Sequence, residues 1–268
     1  IFVDCHPDLY TIEPSAIEAA ITEKTKGVIA VHLYGQPSLL DDVAAIAQNR
    51  GLWLVEDCAQ AHLALYKGRP VGTTGIAGCF SFYPGKNLGA YGEGGAVVTN
   101  DEALFHKITA LRNHGSDQKY LHTYIGHNYR MDGIQGSILD VKLRHLDKWT
   151  EQRIRIADLY RKSLNDVPEI VLPEESDDVR HVYHLFVVRV PERDILADYL
   201  SSKGIGTGIH YPVPCHLQKA YAFLGHRQKK LPVSEAYASQ LLSLPIFAEM
   251  NEESVEYVSE HIRAFYRT

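Results

Sequence analysis

The apolar positions of the chain fall into short continuous runs separated by stretches of helical period. Gly27-Val-Ile-Ala-Val-His-Leu33 and Leu52-Trp-Leu-Val55 are nearly unbroken apolar runs, the pattern of parallel strands covered on both faces. Between them residues 39–49 carry amphipathic spacing, and before them residues 14–21 read as a helix with proline in its first turn. Strand and helix in alternation predict an α/β sheet with right-handed crossovers. Ile1-Phe2-Val3 reads as a strand already under way, with no methionine before it, and points to the middle of a domain with a segment ahead of it. Residues 79–83 form a further strand, stopped by Pro84-Gly85. Residues 96–99 form another, and a helix with an acidic first turn, suited to the helix dipole, runs from Asn100-Asp101-Glu102 to about Asn113.

The second half is less regular. Residues 114–129 are polar, without a period, and read as a long loop of the kind that is functional or mobile. Helical spacing returns over 131–146 and 149–164, and a Pro- and acid-rich turn over 168–178 marks a boundary. Beyond it the pattern predicts a strand at 183–190, a helix at 191–203, a strand at 205–209, a stiff loop at 210–214, and helices at 233–242 and 252–265. Residues 1–150 are therefore expected to form a large α/β domain with a mostly parallel central sheet, and 151–268 a smaller C-terminal α+β domain.

Composition narrows the function. With 268 residues, 45% of them hydrophobic, the chain can bury a substantial core. The formal net charge is −6, and the longest basic cluster is Arg227-Gln228-Lys229-Lys230, which argues against nucleic acid as a partner. No apolar stretch is long enough to span a membrane. The four cysteines, Cys5, Cys58, Cys79 and Cys215, are scattered without a C-x-x-C. They read as reduced residues of a cytoplasmic protein rather than as disulfides or a zinc site.

Candidate chemistry gathers at Lys86. It follows the strand-ending Pro84-Gly85 and precedes Gly89, Gly92, Gly94 and Gly95, which let the backbone approach something closely or take unusual dihedrals. A lysine at the mouth of a buried strand is a candidate for imine chemistry, although a solvated lysine on a turn is the commoner case. Imine chemistry needs a lowered lysine pKa. With pyridoxal 5'-phosphate it also needs a carboxylate on the pyridinium nitrogen. Asp57, at the end of a buried strand, is placed for that pairing. Gln60 could hydrogen-bond the ring's phenolic oxygen, and Ser81 could meet the phosphate. A strand end facing water for Glu56-Asp57 and a packed core hydroxyl for Ser81 are the plainer alternatives.

Glu56-Asp-Cys-Ala-Gln-Ala-His62 followed by Ser81-Phe-Tyr-Pro-Gly-Lys-Asn-Leu-Gly-Ala-Tyr-Gly-Glu-Gly-Gly95 resembles the DegT/StrS family of nucleotide-sugar aminotransferases. The resemblance continues through Val31-His-Leu-Tyr-Gly-Gln36, Leu111-Arg-Asn-His-Gly115, Gly126-His-Asn-Tyr-Arg-Met-Asp132, His181-Val-Tyr-His-Leu-Phe186 and Gly208-Ile-His-Tyr-Pro212. It implies the type I fold of pyridoxal-phosphate-dependent transferases. It matches Lys86 to the Schiff-base lysine, Asp57 to the pyridinium partner, Gln60 to the phenolic-oxygen contact and Ser81 to a phosphate ligand. It also matches Asn128 to an asparagine that reaches the cofactor phosphate of a neighbouring subunit, which implies a homodimer with shared active sites. Asp132-Gly-Ile-Gln-Gly136 departs mildly from the family's Asp-Glu-hydrophobic-Gln-Ala. The family carries roughly a quarter of its length ahead of the equivalent of Ile1, including a phosphate-cradling turn at a helix N-terminus.

The implied activity is transfer of an amino group from an amino acid, glutamate by resemblance, to a nucleotide-linked keto-deoxy sugar. Tyr83-Pro-Gly-Lys-Asn-Leu-Gly89 looks more like members that aminate the sugar's 3-position than its 4-position. A related branch that dehydrates keto sugars has histidine where this chain has Lys86. Two other readings stay open: a non-catalytic regulatory homologue, and a piece of the fold that does not hold cofactor. Arg130, His210 and Tyr211 are candidate contacts for the anionic substrate, with structural roles as the alternative. Gly204-Ile-Gly-Thr-Gly208 lacks the spacing of a dinucleotide loop. His181, His184, His210 and His216 lack zinc-motif spacing, so core or pocket roles are expected and no metal.

Overall fold

The computed structural model describes residues 1–225 and 230–267; residues 227–229 of the basic cluster lie outside them. The first helix, α1 (Pro14–Ala20), starts where Glu13 accepts a hydrogen bond from the Ser15 N–H at 3.1 Å and proline occupies the first turn. β1 (Gly27–Val31), α2 (Leu40–Asn49) and β2 (Trp53–Asp57) follow as expected. Then come the short strands β3 (Leu65–Tyr66) and β4 (Arg69–Pro70), β5 (Ala77–Ser81) and β6 (Gly95–Val98). The central sheet has the order β1-β2-β5-β6. β1, β2 and β5 run parallel and β6 is antiparallel to β5. In register, Val31 pairs with Asp57 and Asp57 with Cys79, so the carboxyl ends of three parallel strands share one rim of the sheet.

Asp101 caps α3 (Glu102–Arg112), its side chain accepting from the Leu104 N–H at 2.9 Å. A hairpin of β7 (Ser116–Gln118) and β8 (Leu121–His122) leads to α4 (Gly133–Leu143) and the long α5 (Leu146–Leu164). β9 (Val179–Arg180) joins β3 and β4. β10 (Phe186–Arg189), α6 (Arg193–Ser202), α7 (Pro232–Tyr237), β11 (Leu241–Leu244) and α8 (Glu252–Arg267) complete the described chain. The largest core joins α5, β10, α6, β11 and α8 through residues such as Tyr160, Phe186, Leu196, Leu242 and Ile262. A separate core sets Ile17 and Val43 of the helices against Val28, Ala30 and Leu54 of the sheet. Among the described residues no helix is long and apolar enough to cross a membrane.

Several expectations need correction. Residues 1–3 are not a strand; the nearest pairing is a single bridge between Cys5 and Ile12. β1 is covered on one face, by Ile17 and Val43, while Ile29 is 57% exposed. The strand expected at 79–83 ends at Ser81, because Phe82 turns its N–H to the Gly94 carbonyl and begins the Lys86 loop. The loop expected over 114–129 contains the hairpin β7–β8, held by the Thr123 and Tyr124 N–H groups on the Gly115 carbonyl. Residues 205–209 form only a bridge, Gly208 to Ser243. The helix expected over 233–242 stops at Tyr237, and the apolar Leu241–Leu244 pairs as a strand with β10. Short apolar runs do not separate helix from strand until a partner is known.

Candidate active site

Lys86 lies on the loop that leaves β5. Its N–H donates to the Tyr83 carbonyl at 2.9 Å, and the Ala90 N–H closes the loop onto Phe82 at 2.8 Å. Gly89 is required by this closure, since a Cβ there would stand 2.3 Å from the Pro84 carbonyl oxygen. Of the two roles expected of Gly89, Gly92, Gly94 and Gly95, close approach is the one observed; none of the four takes a positive φ. The amine is half-buried, and among the described residues Nζ makes no hydrogen bond or ion pair. Burial lowers its pKa from the usual lysine value, and the nearby Asp57 carboxylate opposes that shift.

Asp57 closes β2. Its Oδ1 accepts from the Ala59 N–H at 3.0 Å, and among the described residues no donor meets Oδ2. Glu56, one residue earlier, is fully buried rather than facing water. Its carboxylate accepts from His32 Nε2 at 3.1 Å and from the N–H groups of Gly72, Thr74 and Gly75 at 2.6, 2.7 and 2.8 Å. Burial raises its pKa, but these bonds outweigh burial and hold the group below the ordinary carboxylate value. Glu56 thus fastens the 72–75 loop to the strand end that carries Asp57. His32, Glu56 and Cys58 are the trio of possible metal donors that comes together among the described residues, within 4.8 Å of one another. The carboxylate is committed to N–H donors, and His32 Nδ1 accepts from Ser38 N–H at 3.0 Å.

Gln60 is buried, with Oε1 accepting from the Tyr34 N–H at 2.6 Å and Nε2 donating to Tyr211 Oη at 3.3 Å. The Tyr34 hydroxyl donates to the His210 carbonyl, and His210 Nδ1 lies 2.8 Å from Ser243 Oγ. His210 and Tyr211 are therefore brought to the Asp57–Gln60 rim, 150 residues away in sequence. Ser81 ends β5 on the same rim, its Oγ accepting from the Tyr83 N–H at 3.2 Å. Asn128 and Arg130 are not brought there. They are exposed, Arg130 Nε donating to Asn128 Oδ1 at 2.9 Å, and Asn128 bridges to Asn113.

Sequence reasoning gave no role to His62, Tyr34 or Asn87. His62 is buried between Phe80 and Phe82, with ring centroids 5.5 and 5.9 Å away, and neither of its nitrogens closes a hydrogen bond. Burial, with Lys86 nearby, pushes its pKa down to about 4. Of the other histidines, His181 stacks on Tyr183 at 3.9 Å and His216 pairs with Glu235 at 3.1 Å, both in packing roles. His184 faces Lys86. Only the Tyr34-Gly35 pair carried a readable signal, a turn beside an apolar strand.

A mostly parallel sheet with a free lysine and a free aspartate oxygen at one rim is the arrangement of a lysine-dependent cofactor enzyme. A model of the DegT/DnrJ/EryC1/StrS aminotransferase family matches residues 1–263. The chain is similar to a protein of Geobacillus stearothermophilus named pleiotropic regulatory protein, 47% identical over 100% of this chain and 72% of the relative. It is similar to the dTDP-3-amino-3,6-dideoxy-alpha-D-galactopyranose transaminase of Aneurinibacillus thermoaerophilus, 46% identical over 97% of this chain and 71% of that one. Its fold matches the crystal structure of S. venezuelae DesV in complex with a ketimine intermediate, with TM-score 0.96 and 44% identity over 99% of this chain and 71% of that one. The fold is the type I fold of pyridoxal-phosphate-dependent transferases. The chain belongs to the DegT/DnrJ/EryC1/StrS aminotransferase family.

Proposed function

We propose that the protein is a pyridoxal-phosphate-dependent aminotransferase that moves an amino group from glutamate to a nucleotide-linked keto-deoxy sugar, at the sugar's 3-position. The observation that carries this reading is the Lys86 amine, half-buried and without a partner among the described residues, with Asp57 in electrostatic reach. The residues fit the cofactor. Asp57 Oδ2 is open to a protonated ring nitrogen, the Gln60 amide nitrogen faces the rim, and Ser81 Oγ can meet an anion. Bound there, the cofactor supplies an electron sink for charge that develops at the donor's α-carbon. Asp57 holds the proton on the ring nitrogen. With the cofactor bound, Lys86 Nζ, its basicity lowered by burial, would take the proton from the donor's α-carbon in one half-reaction and deliver one to the sugar carbon that receives the nitrogen in the other. His210 and Tyr211 bind the sugar nucleotide from the C-terminal part.

Asn128 and Arg130, exposed and hydrogen-bonded to each other, are read as reaching the site of a second copy in a homodimer. Two of the cores, one over residues 17–54 and one over 156–262, each lie wholly on one side of residue 150 and support a division into domains there. The regulatory name of one relative does not favour a silent fold here, because Lys86, Asp57 and Gln60 are all present. A cytoplasmic location fits the four free cysteines.

The test is to add pyridoxal phosphate, reduce with borohydride and map the modified peptide. A label on Lys86, lost in Lys86→Ala, is expected. A label elsewhere, or none, overturns the reading. Glutamate with a panel of nucleotide-linked 3-keto and 4-keto sugars then distinguishes the position aminated.

A further inference from the structure

The loop that carries Lys86 is closed at its base, where the Phe82 N–H donates to the Gly94 carbonyl and the Ala90 N–H to the Phe82 carbonyl, both at 2.8 Å. On one side Asn87, buried next to the lysine, donates from Nδ2 to the Val182 carbonyl at 3.0 Å. On another side lies α4. Gln135, Leu139 and Lys142 are spaced i, i+4, i+7 and share one face of that helix. Gln135 Oε1 accepts from the Tyr91 N–H at 2.8 Å. Leu139 shares a buried cluster with Leu88 and Ala90. Lys142 Nζ donates to the Gly89 carbonyl and stands 5.5 Å from the centroid of the Tyr91 ring. A Cβ on Gly92 would stand 3.0 Å from Gln135 Nε2, and one on Gly94 2.8 Å from Sδ of Met131, just ahead of the helix. At these two glycines the loop backbone lies flush against α4 and the residue that leads into it.

A lysine on a helix surface ordinarily keeps its amine in water. Lys142 instead commits its amine to a backbone carbonyl, with no carboxylate partner among the described residues, and a charged donor makes that bond stronger than a neutral one. Tyr91 is 77% exposed, so the limb of the loop around it gains little from burial and depends on the two bonds from α4. We propose that Gln135 and Lys142 are positioning residues for Lys86: between them α4 holds the far limb of the lysine's loop shut and so keeps the amine in place at the sheet rim. The inference rests on Lys86 being the reacting amine and adds to it the element that holds its loop. A shut loop keeps Lys86 half-buried, and burial is what lowers its pKa, against the nearby Asp57 carboxylate. An opened loop lets water reach the amine and returns it toward the ordinary lysine value.

The experiment reads the loop and the amine separately, on the 268-residue chain without cofactor. Amide hydrogen exchange follows the peptide that spans residues 86–92. Trace labelling with acetic anhydride across a pH series, read by mass spectrometry, gives the Lys86 midpoint. Gln135→Leu removes the acceptor for Tyr91 and changes no charge, Lys142→Met removes the donor to Gly89, and Lys142→Arg keeps a charged donor. In the first two, exchange is expected to speed about fivefold, as loss of one hydrogen bond gives. Their Lys86 midpoint is expected to rise by about half a pH unit, which is about threefold less free amine at a pH below both midpoints. Lys142→Arg is expected to hold both wild-type values. A folded Gln135→Leu that lacks either change overturns the proposal, as does a Lys142→Arg that matches Lys142→Met. If Gln135→Leu does not fold, Lys142→Met is judged by the same two changes. Failure of the Lys86 assignment reads differently: both changes persist while the borohydride label lands on another residue.

Discussion

The Tyr34 backbone N–H donates to Gln60 Oε1 at 2.6 Å, and this bond decides which way the buried amide of Gln60 points. With Oε1 taken, Nε2 faces the opposite side, where it meets Tyr211 Oη. Tyr34 holds a φ of 60°, a left-handed conformation that costs a non-glycine residue and persists where its surroundings require it. Gln60→Leu leaves the Tyr34 N–H buried without an acceptor, at a cost of about 1–3 kcal/mol. Gln60→Glu keeps the acceptor and loses the donor. The leucine variant should lower the urea midpoint. The glutamate variant should hold that midpoint better while weakening pyridoxal phosphate binding about tenfold, read by fluorescence titration. Equal loss of stability in both would contradict the division of labour between the two amide ends.

Glu56→Gln should be far more damaging than its size suggests. The carboxylate accepts four N–H donors, and an amide nitrogen turned toward any of them can only oppose it. Breaking a buried, hydrogen-bonded charge costs about 3–5 kcal/mol. Because the folded pKa of Glu56 is depressed, its contribution is present above the unfolded carboxylate value and is lost as pH falls through the lower folded one. Urea unfolding at neutral pH and again near pH 4 should show the gap between wild type and variant narrowing in acid.

Acid should begin to destabilise the protein well above the carboxylate range. His62, His181 and His184 have pKa values pushed down by burial from 6.5 to about 4, 3 and 3. Below pH 6.5 the unfolded chain binds protons that the folded chain refuses, so stability falls with pH from there toward the folded values. Each group contributes roughly 1.4 kcal/mol per pH unit inside that window. His181→Asn keeps an acceptor for the Tyr183 N–H, now at 2.9 Å from Nδ1, and removes one titration. A thermal midpoint that falls less steeply between pH 6.5 and 4.5 in this variant is the expected result.

Asp4 caps α7 from the far end of the chain. Its carboxylate accepts from the Val233 and Ser234 N–H groups, both at 2.9 Å, and from Ser234 Oγ at 2.5 Å. Burial raises its pKa, but these bonds prevail and lower it. Loss of a capping side chain costs about 0.5–2 kcal/mol. Asp4→Ala should lower the unfolding free energy read from urea titration by that amount and speed hydrogen exchange at the amides of 233 and 234, while borohydride labelling of Lys86 stays unchanged.

Much of the architecture was readable because it rests on local rules. The runs at 27–33 and 52–55, the helix between them and the Pro84-Gly85 stop follow from period and turn chemistry, and β1, α2, β2 and β5 lie within a few residues of where these put them. The Lys86, Asp57, Gln60 and Ser81 set was named from motif order alone. The failures are equally physical. Residues 205–209 and 241–244 are both short and apolar, and only the second becomes a strand, because β10 offers Leu241–Leu244 a full antiparallel partner while Gly208 reaches Ser243 alone.

The sequence by itself determined the sheet's parallel strands, the lysine at a strand's mouth and the aspartate at its neighbour's end, since each depends on residues close in the chain. Only the tertiary structure decided what surrounds that lysine. Tyr34 and Tyr211 lie on either side of Gln60, and Asn87 is joined to Val182 and His184 across nearly a hundred residues. Glu56, for which a water-facing strand end was the plainer alternative, is a buried acceptor for four donors. Such partners cannot be read from local pattern, because a buried polar group is satisfied by whatever donor or acceptor the packed chain brings to it.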